Sequence, residues 1–201
     1  MDFPFKRIKG GVGAPKGFLT AAIGCGIKNP ADPRLDLALI ASEVPCQSAA
    51  AFTTNRVKAA PVRVSQTHLR AADFQAIIVN SGNANACIGP QGMADARRMA
   101  ALTAEGLGID PRLVMVASTG VIGRPMPMDK IEAGIPLAVS ALAPNGGPLA
   151  ARAIMTTDTV DKQVALEFKI DGRKVRLGGM AKGAGMIEPN MATMLAFLTT
   201  D

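Results

Sequence analysis

From Val164 the chain alternates apolar and polar residues with a period of two. Val164, Leu166, Phe168 and Ile170 fall on one face, and Ala165, Glu167 and Lys169 on the other. Asp171-Gly172 then supplies a tight turn, and Val175 and Leu177 alternate back. Two such runs joined by Asp-Gly predict a β-hairpin over Val164 to Leu177. A second pattern has the helical period. Met93, Ala96, Ala100 and Ala104 recur at spacings of three and four, with Asp95, Arg98 and Glu105 opposite, although Leu102 also falls on that polar side. This predicts a helix from Met93 to Glu105, stopped by Gly106 and Gly108. Asp129 to Leu142 also reads as helix, with Pro136 expected to kink or split it.

Short apolar runs predict strands at Asp36 to Ser42, Pro61 to Ser65 and Ala76 to Asn80. The last is bounded by Ser81-Gly82-Asn83-Ala84-Asn85, small residues suited to turns. Leu113 to Ala117 is an apolar run feeding a loop at Ser118-Thr119-Gly120, and the Gly and Pro content of Gly10 to Phe18 marks another loop. Strands mixed with a few helices, without strict alternation, imply an α/β or α+β layered fold.

Composition narrows the picture. Of 201 residues 48% are hydrophobic and 19% charged, which suits a packed globular chain. Seven Phe and no Trp or Tyr mean a core of Ala, Val, Ile, Leu and Met, and they argue against aromatic platforms for single-stranded nucleic acid. The net charge of +6 is scattered, and its densest stretch, Arg173, Lys174 and Arg176, follows a turn. That pattern fits a solvated surface better than a nucleic-acid footprint. Cys25, Cys46 and Cys87 are far apart and odd in number, and Met1 to Gly11 has no apolar run. A reduced, cytoplasmic setting is expected, with no membrane span.

Several chemistries fall away. His68 is the one histidine, so a Ser-His-Asp or Cys-His arrangement would rest on that residue alone. One His and three dispersed Cys lack zinc-site spacing, and no metal or other bound cofactor is expected. Neither Gly10 to Gly17 nor Gly178 to Gly185 matches the phosphate-cradling loop that ends in Gly-Lys-Ser/Thr. The hydroxyl-rich segments Ser118-Thr119-Gly120, Thr156-Thr157-Asp158-Thr159 and Ala192-Thr193 remain. Thr becomes a nucleophile without His when it stands at a chain N-terminus, where its own α-amine acts as base. Spacing does not distinguish such a Thr from one buried at a strand end.

Lys182-Gly-Ala-Gly-Met-Ile-Glu-Pro-Asn-Met-Ala-Thr-Met-Leu-Ala-Phe197 closely resembles the cleavage and nucleophile motif of the ornithine acetyltransferases. Ala14 to Phe18, Phe52 to Pro61, Val79 to Cys87, Ala117 to Gly123 and Ala153 to Thr159 resemble further segments of that family in the right order, so the likeness spans nearly the whole chain. The resemblance implies self-cleavage between Ala192 and Thr193, with the freed Thr193 as nucleophile. It implies an oxyanion hole at Thr119 and Gly120, and substrate contacts from Thr156, Lys182 and Thr193. It implies a layered αββα sandwich in which residues 1–192 form the first chain and 193–201 open the second.

The reaction so implied is ping-pong acetyl transfer from N-acetylornithine to glutamate, in arginine biosynthesis. Some members of the family also take acetyl-CoA as donor, and the sequence leaves that range open. The implied partner is the protein's own second chain, in a heterodimer that pairs again, and the 201 residues read as a truncated portion of such a precursor. Two alternatives stand beside this reading. One is a related self-processing aminopeptidase or hydrolase, disfavoured because that family typically has Ser where Thr193 stands. The other is an inactive fragment, in which Thr193 to Asp201 forms an interior strand left exposed and prone to aggregate.

Overall fold

The computed structural model describes residues 4–29, 31, 34–70, 73–183 and 194–201. Its strands are β1 (Phe5–Arg7), β2 (Phe18–Ile23), β3 (Leu37–Cys46), β4 (Phe74–Asn83), β5 (Val114–Val121), β6 (Lys162–Ile170), β7 (Arg173–Lys182) and β8 (Leu195–Thr200). Its helices are α1 (Ala60–Leu69), α2 (Pro90–Leu107), α3 (Met128–Ser140) and α4 (Gly147–Ala153). The strands form two four-stranded sheets, ordered β2-β3-β4-β5 and β1-β6-β7-β8. The first is antiparallel except for the parallel pair β4–β5, whose crossover is α2. The second is antiparallel throughout.

Alternation along β3, β4 and β5 divides the apolar residues of the first sheet between its two faces. Leu37, Leu39, Ile78, Val114 and Val116 bury one face under Val64 of α1, Met99 of α2 and Ile131 and Ile135 of α3. Ala38, Ile40 and Val79 bury the other face against Ala150, Ala151, Ala153 and Ile154 around α4, and against Met180 of the second sheet. The order helices, sheet, sheet supplies the α, β and β layers of the expected αββα sandwich. Small residues let the layers meet: a Cβ on Gly178 would lie 2.3 Å from the carbonyl oxygen of Gly11. Among the described residues no helix is long and apolar enough to cross a membrane.

The hairpin forms as expected. Asp171 and Gly172 take φ of 48° and 77°, and Leu166 pairs with Leu177. Helices α2 and α3 match their patterns, and α3 runs through Pro136 without splitting. Three local expectations are corrected. Pro61 to Ser65 is not a strand but the start of α1: proline in the first helical turn loses no bond the helix could make there. Ser118-Thr119-Gly120 is not a loop but the end of β5, and the turn expected from Ser81 begins only after β4 has run on to Asn83. In both cases the neighbouring parallel strand supplies ladder bonds that override the small residues' turn preference.

Buried Asp36 fixes the entry to β3. Its carboxylate accepts the backbone N–H groups of Cys25 at 2.8 Å, Ile27 at 2.6 Å and Lys28 at 3.2 Å, and the Cys25 thiol at 3.3 Å. Its own carbonyl accepts from Ser81 N–H in β4. The loop at 25–28 is thereby laid against Gly82.

The outer face of the second sheet is open. Phe5, Val164, Ile170 and Leu198 are 56%, 44%, 50% and 70% exposed, and Val164, Gly179 and Leu198 share that face across three strands. Contiguous apolar faces of this kind mark docking or self-association surfaces.

Two outcomes follow from this packing. Asp36→Ala leaves buried N–H donors unpaired and is expected to cost about 3 kcal/mol, read as a lower urea midpoint; a midpoint unchanged from the parent would contradict the role given to the carboxylate. The 201-residue chain by itself should self-associate, and Val164→Lys with Leu198→Lys should reduce its light scattering. Equal scattering with and without those lysines would show that the face is not sticky.

Candidate active site

The two sheets meet in a polar cluster at the C-terminal ends of β5 and β7. Alternation sends Val116 and Ser118 toward the helices and Ala117 and Thr119 toward the second sheet. Lys182, the last residue of β7, is 6% exposed, and its ammonium donates to Thr119 Oγ1 at 3.0 Å. Because the threonine oxygen accepts this bond, the threonine O–H stays free to donate to another group.

Gly120 follows with φ of 136°, and a Cβ there would lie 2.3 Å from the carbonyl carbon of Gly82. No other residue allows β4 and β5 to approach so closely in this conformation. The register slips at this point, with Asn83 facing both Thr119 and Val121, an irregularity of the kind that re-aims groups beside functional sites. Asn83 ties the end of β4 down: its Nδ2 donates to the Arg124 and Pro125 carbonyls, and its Oδ1 accepts the Asn85 N–H. Ser81 donates to the Ala153 carbonyl at the end of α4, which anchors the following segment that carries Thr156. The side-chain oxygens of Ser118 and Asn80, partners in register, are buried without a hydrogen-bond partner among the described residues.

Asp158 joins the Thr156 segment to β7. Its side chain is only 1% exposed and accepts from Lys162 Nζ at 2.6 Å, Gly183 N–H at 2.8 Å and Thr156 N–H at 3.4 Å. Burial pushes its carboxyl up, but the bonds from Lys162, Gly183 and Thr156 outweigh that and hold it down at about 2. Burial lowers the Lys182 ammonium from its ordinary value; the Asp158 charge opposes that fall and the Lys162 charge adds to it.

Of the residues singled out in the sequence, Thr119 and Lys182 are therefore in direct contact, Gly120 is adjacent, and Thr156 is tied to Gly183 through Asp158. Ala192 and Thr193 lie outside the described residues. Met194, which follows Thr193, has its Cα 3.7 Å from where a Cβ on Gly183 would stand, and Leu195 pairs with Lys182. Asp158 and Ser81 were missed. The available signal was that Asp158 is the one charged residue inside Thr-Thr-Asp-Thr, where a carboxylate among hydroxyls and backbone N–H groups is suited to organise a turn. His68 takes a structural place, its Nδ1 2.8 Å from the Val114 carbonyl oxygen. The three cysteines are free thiols. No group of metal-ligating side chains occurs among the described residues. A cavity of about 540 Å³ lies further along β7, lined by Lys9, Lys16, Glu43 and Arg176, and includes none of the site residues.

Known proteins resemble this chain in sequence and in fold. The chain is 56% identical over 194 residues to the arginine biosynthesis bifunctional protein ArgJ of Symbiobacterium thermophilum, covering 96% of this chain and 48% of that protein. The chain thus spans about half the length of the curated relatives it matches. An ornithine acetyltransferase from Mycobacterium tuberculosis, solved in complex with ornithine, superposes with a TM-score of 0.84 at 44% identity, covering 96% of this chain and 100% of that one. An L-aminopeptidase D-Ala-esterase/amidase from Ochrobactrum anthropi, described as a variant of the Ntn hydrolase fold, superposes with a TM-score of 0.50 at 11% identity over 99% of this chain and 66% of that one, a likeness of fold alone. The ArgJ family model matches residues 19–201, and the chain belongs to the ArgJ family.

Proposed function

We propose that this chain is the first part of a self-cleaving acetyltransferase of arginine biosynthesis, which moves an acetyl group from N-acetylornithine to glutamate through Thr193. The observation that carries the reading is the contact between Lys182 and Thr119 at the strand end where Leu195 pairs, two residues beyond Thr193. The relatives' names and lengths support it. The curated relatives are about twice as long as this chain, yet the Mycobacterium tuberculosis chain is matched over its whole length. Such a difference is expected if the family's precursor is divided near this position.

In this reading the bond between Ala192 and Thr193 is cut, and the new α-amine of Thr193 accepts the proton of its own hydroxyl. The hydroxyl oxygen attacks the acetyl carbonyl carbon of N-acetylornithine. The carbonyl oxygen gains negative charge and is held by the Thr119 O–H, left free by the Lys182 bond, and by the Gly120 N–H. Collapse breaks the C–N bond, the proton held by the α-amine passes to the leaving nitrogen, and ornithine departs. The acetyl ester on Thr193 is then attacked by the glutamate amine, which restores the hydroxyl. Thr156 and the second chain complete the substrate pocket, and acetyl-CoA serves as an additional donor in a bifunctional member. No bound cofactor takes part.

The complete protein is expected to give two chains by intact mass, the second beginning at Thr193. Thr193→Ala should remain one chain without acetyl transfer, and full transfer by that variant would sink the proposal. Release of acetate in place of acetylglutamate would assign the protein to the hydrolases instead. Thr119→Ala should lower kcat by about 10²- to 10³-fold, while Thr119→Ser keeps a hydroxyl and most of the rate. The acidic limb of the pH–rate profile should rise through about 8, where an α-amine loses its proton; a limb set near 4 would implicate a carboxylate base.

A further inference from the structure

We infer that Asp158 is a positioning residue for the acetyl-transfer site: it pins the Gly183 peptide, next to Lys182, so that the Lys182 ammonium points at Thr119, and it holds a buried negative charge at that strand end. This deepens the function proposed above and rests on it.

The geometry is specific. Lys182 ends β7, and the next peptide, at Gly183, donates to Asp158 Oδ1 at 2.8 Å. The other carboxylate oxygen accepts the Thr156 N–H. One buried carboxylate therefore fixes, from both sides, the strand end that carries Lys182 and the segment that carries Thr156. Gly183 has φ of 150°, a conformation with little side-chain restraint of its own, so the bond to Asp158 restrains this peptide where the β7–β8 ladder ends. The β8 pairing at Leu195 holds one side of Lys182 and Asp158 fixes the peptide that follows it, so the 3.0 Å contact from Lys182 Nζ to Thr119 Oγ1 rests on both.

Charge adds a second argument. A lysine at 6% exposure meets a desolvation penalty on its charged form. Among the described residues, β5 and β8 carry no titratable residue in their spans, α4, which also packs on β7, carries Arg152, and the charged groups bearing on Lys182 are Asp158 and, from β6, Lys162. Asp158 favours the ammonium and Lys162 disfavours it. A protonated Lys182 donates to Thr119 and leaves the threonine O–H for the oxyanion. A neutral amine can instead accept from that O–H and withdraw it from the site. Lys182 must therefore stay charged for Thr119 to act, and Asp158 is the described group that favours this.

The two charges have opposite effects, and that separates this role from a merely structural one. In the complete protein, Asp158→Asn keeps the shape and one acceptor oxygen for Lys162 and Gly183, removes the charge, and loses the bond accepted from the Thr156 N–H. It is expected to move the alkaline limb of kcat to lower pH and to lower kcat by about tenfold, less than the loss on removing an oxyanion donor itself. KM should change little. Lys162→Gln should move the same limb to higher pH. Lys182 is also followed without turnover, by the pH dependence of its reaction with an amine-directed acylating reagent, read by peptide mass. Its midpoint should fall in Asp158→Asn and rise in Lys162→Gln. Where Asp158→Asn does not fold, Lys162→Gln tests the same charge balance with the carboxylate in place. Midpoints and limbs that stay at the parent value, or move together, overturn the inference. The labelling result does not depend on acetyl transfer, so a failure of the proposed function, seen as a fully active Thr193→Ala, is distinguishable from a failure here.

Discussion

A lysine ammonium placed between two sheets must be solvated by the protein, because water no longer does so. Much of the polar end of this molecule answers that requirement for Lys182. Thr119 accepts its hydrogen bond, Asp158 supplies the counter-charge, and Gly183 is held so that the geometry persists. The same contact joins the two sheets where their apolar packing thins out, since Met180 is the last residue of β7 within the inter-sheet core. Packing and chemistry therefore share one boundary: Met180 buries apolar surface, and Lys182, two residues on, carries charge.

The approach of β4 to β5 is the second constraint on the same region. Parallel strands forced together at Gly82 and Gly120 leave no room for side chains, so the strand ends present backbone groups and the Thr119 hydroxyl rather than bulk. The cost of the irregular register is offset by Asn83, whose side chain binds the 124–125 carbonyls. The outer apolar face of the second sheet is exposed, in a chain that spans about half of its relatives' length.

The sequence made the hairpin, α2 and α3 legible because each carries a strong local period and turn or stop residues of the right kind. It misled at Pro61 to Ser65, where Val62 and Val64 alternate like a strand while Pro61 begins a helix. It misled again at Ser118 to Gly120, where turn-prone residues are held in a strand by a neighbour more than thirty positions earlier in the chain. Thr119, Gly120, Thr156 and Lys182 were singled out through resemblance and not through spacing. Asp158 was not, since a carboxylate's partners lie at positions 156, 162 and 183, and no local pattern links them.

The sequence by itself determined the apolar periods, the Asp-Gly turn, the family likeness and the single histidine in these 201 residues, because each depends only on residues near one another or on their inventory. Tertiary structure decided the rest. That Lys182 meets Thr119 follows from two strands of different sheets ending together, and that Lys182 is buried with Asp158 beside it follows from how those sheets close. Hydrogen bonding and desolvation act through space over a few ångströms, and only folding brings residues sixty positions apart within that range.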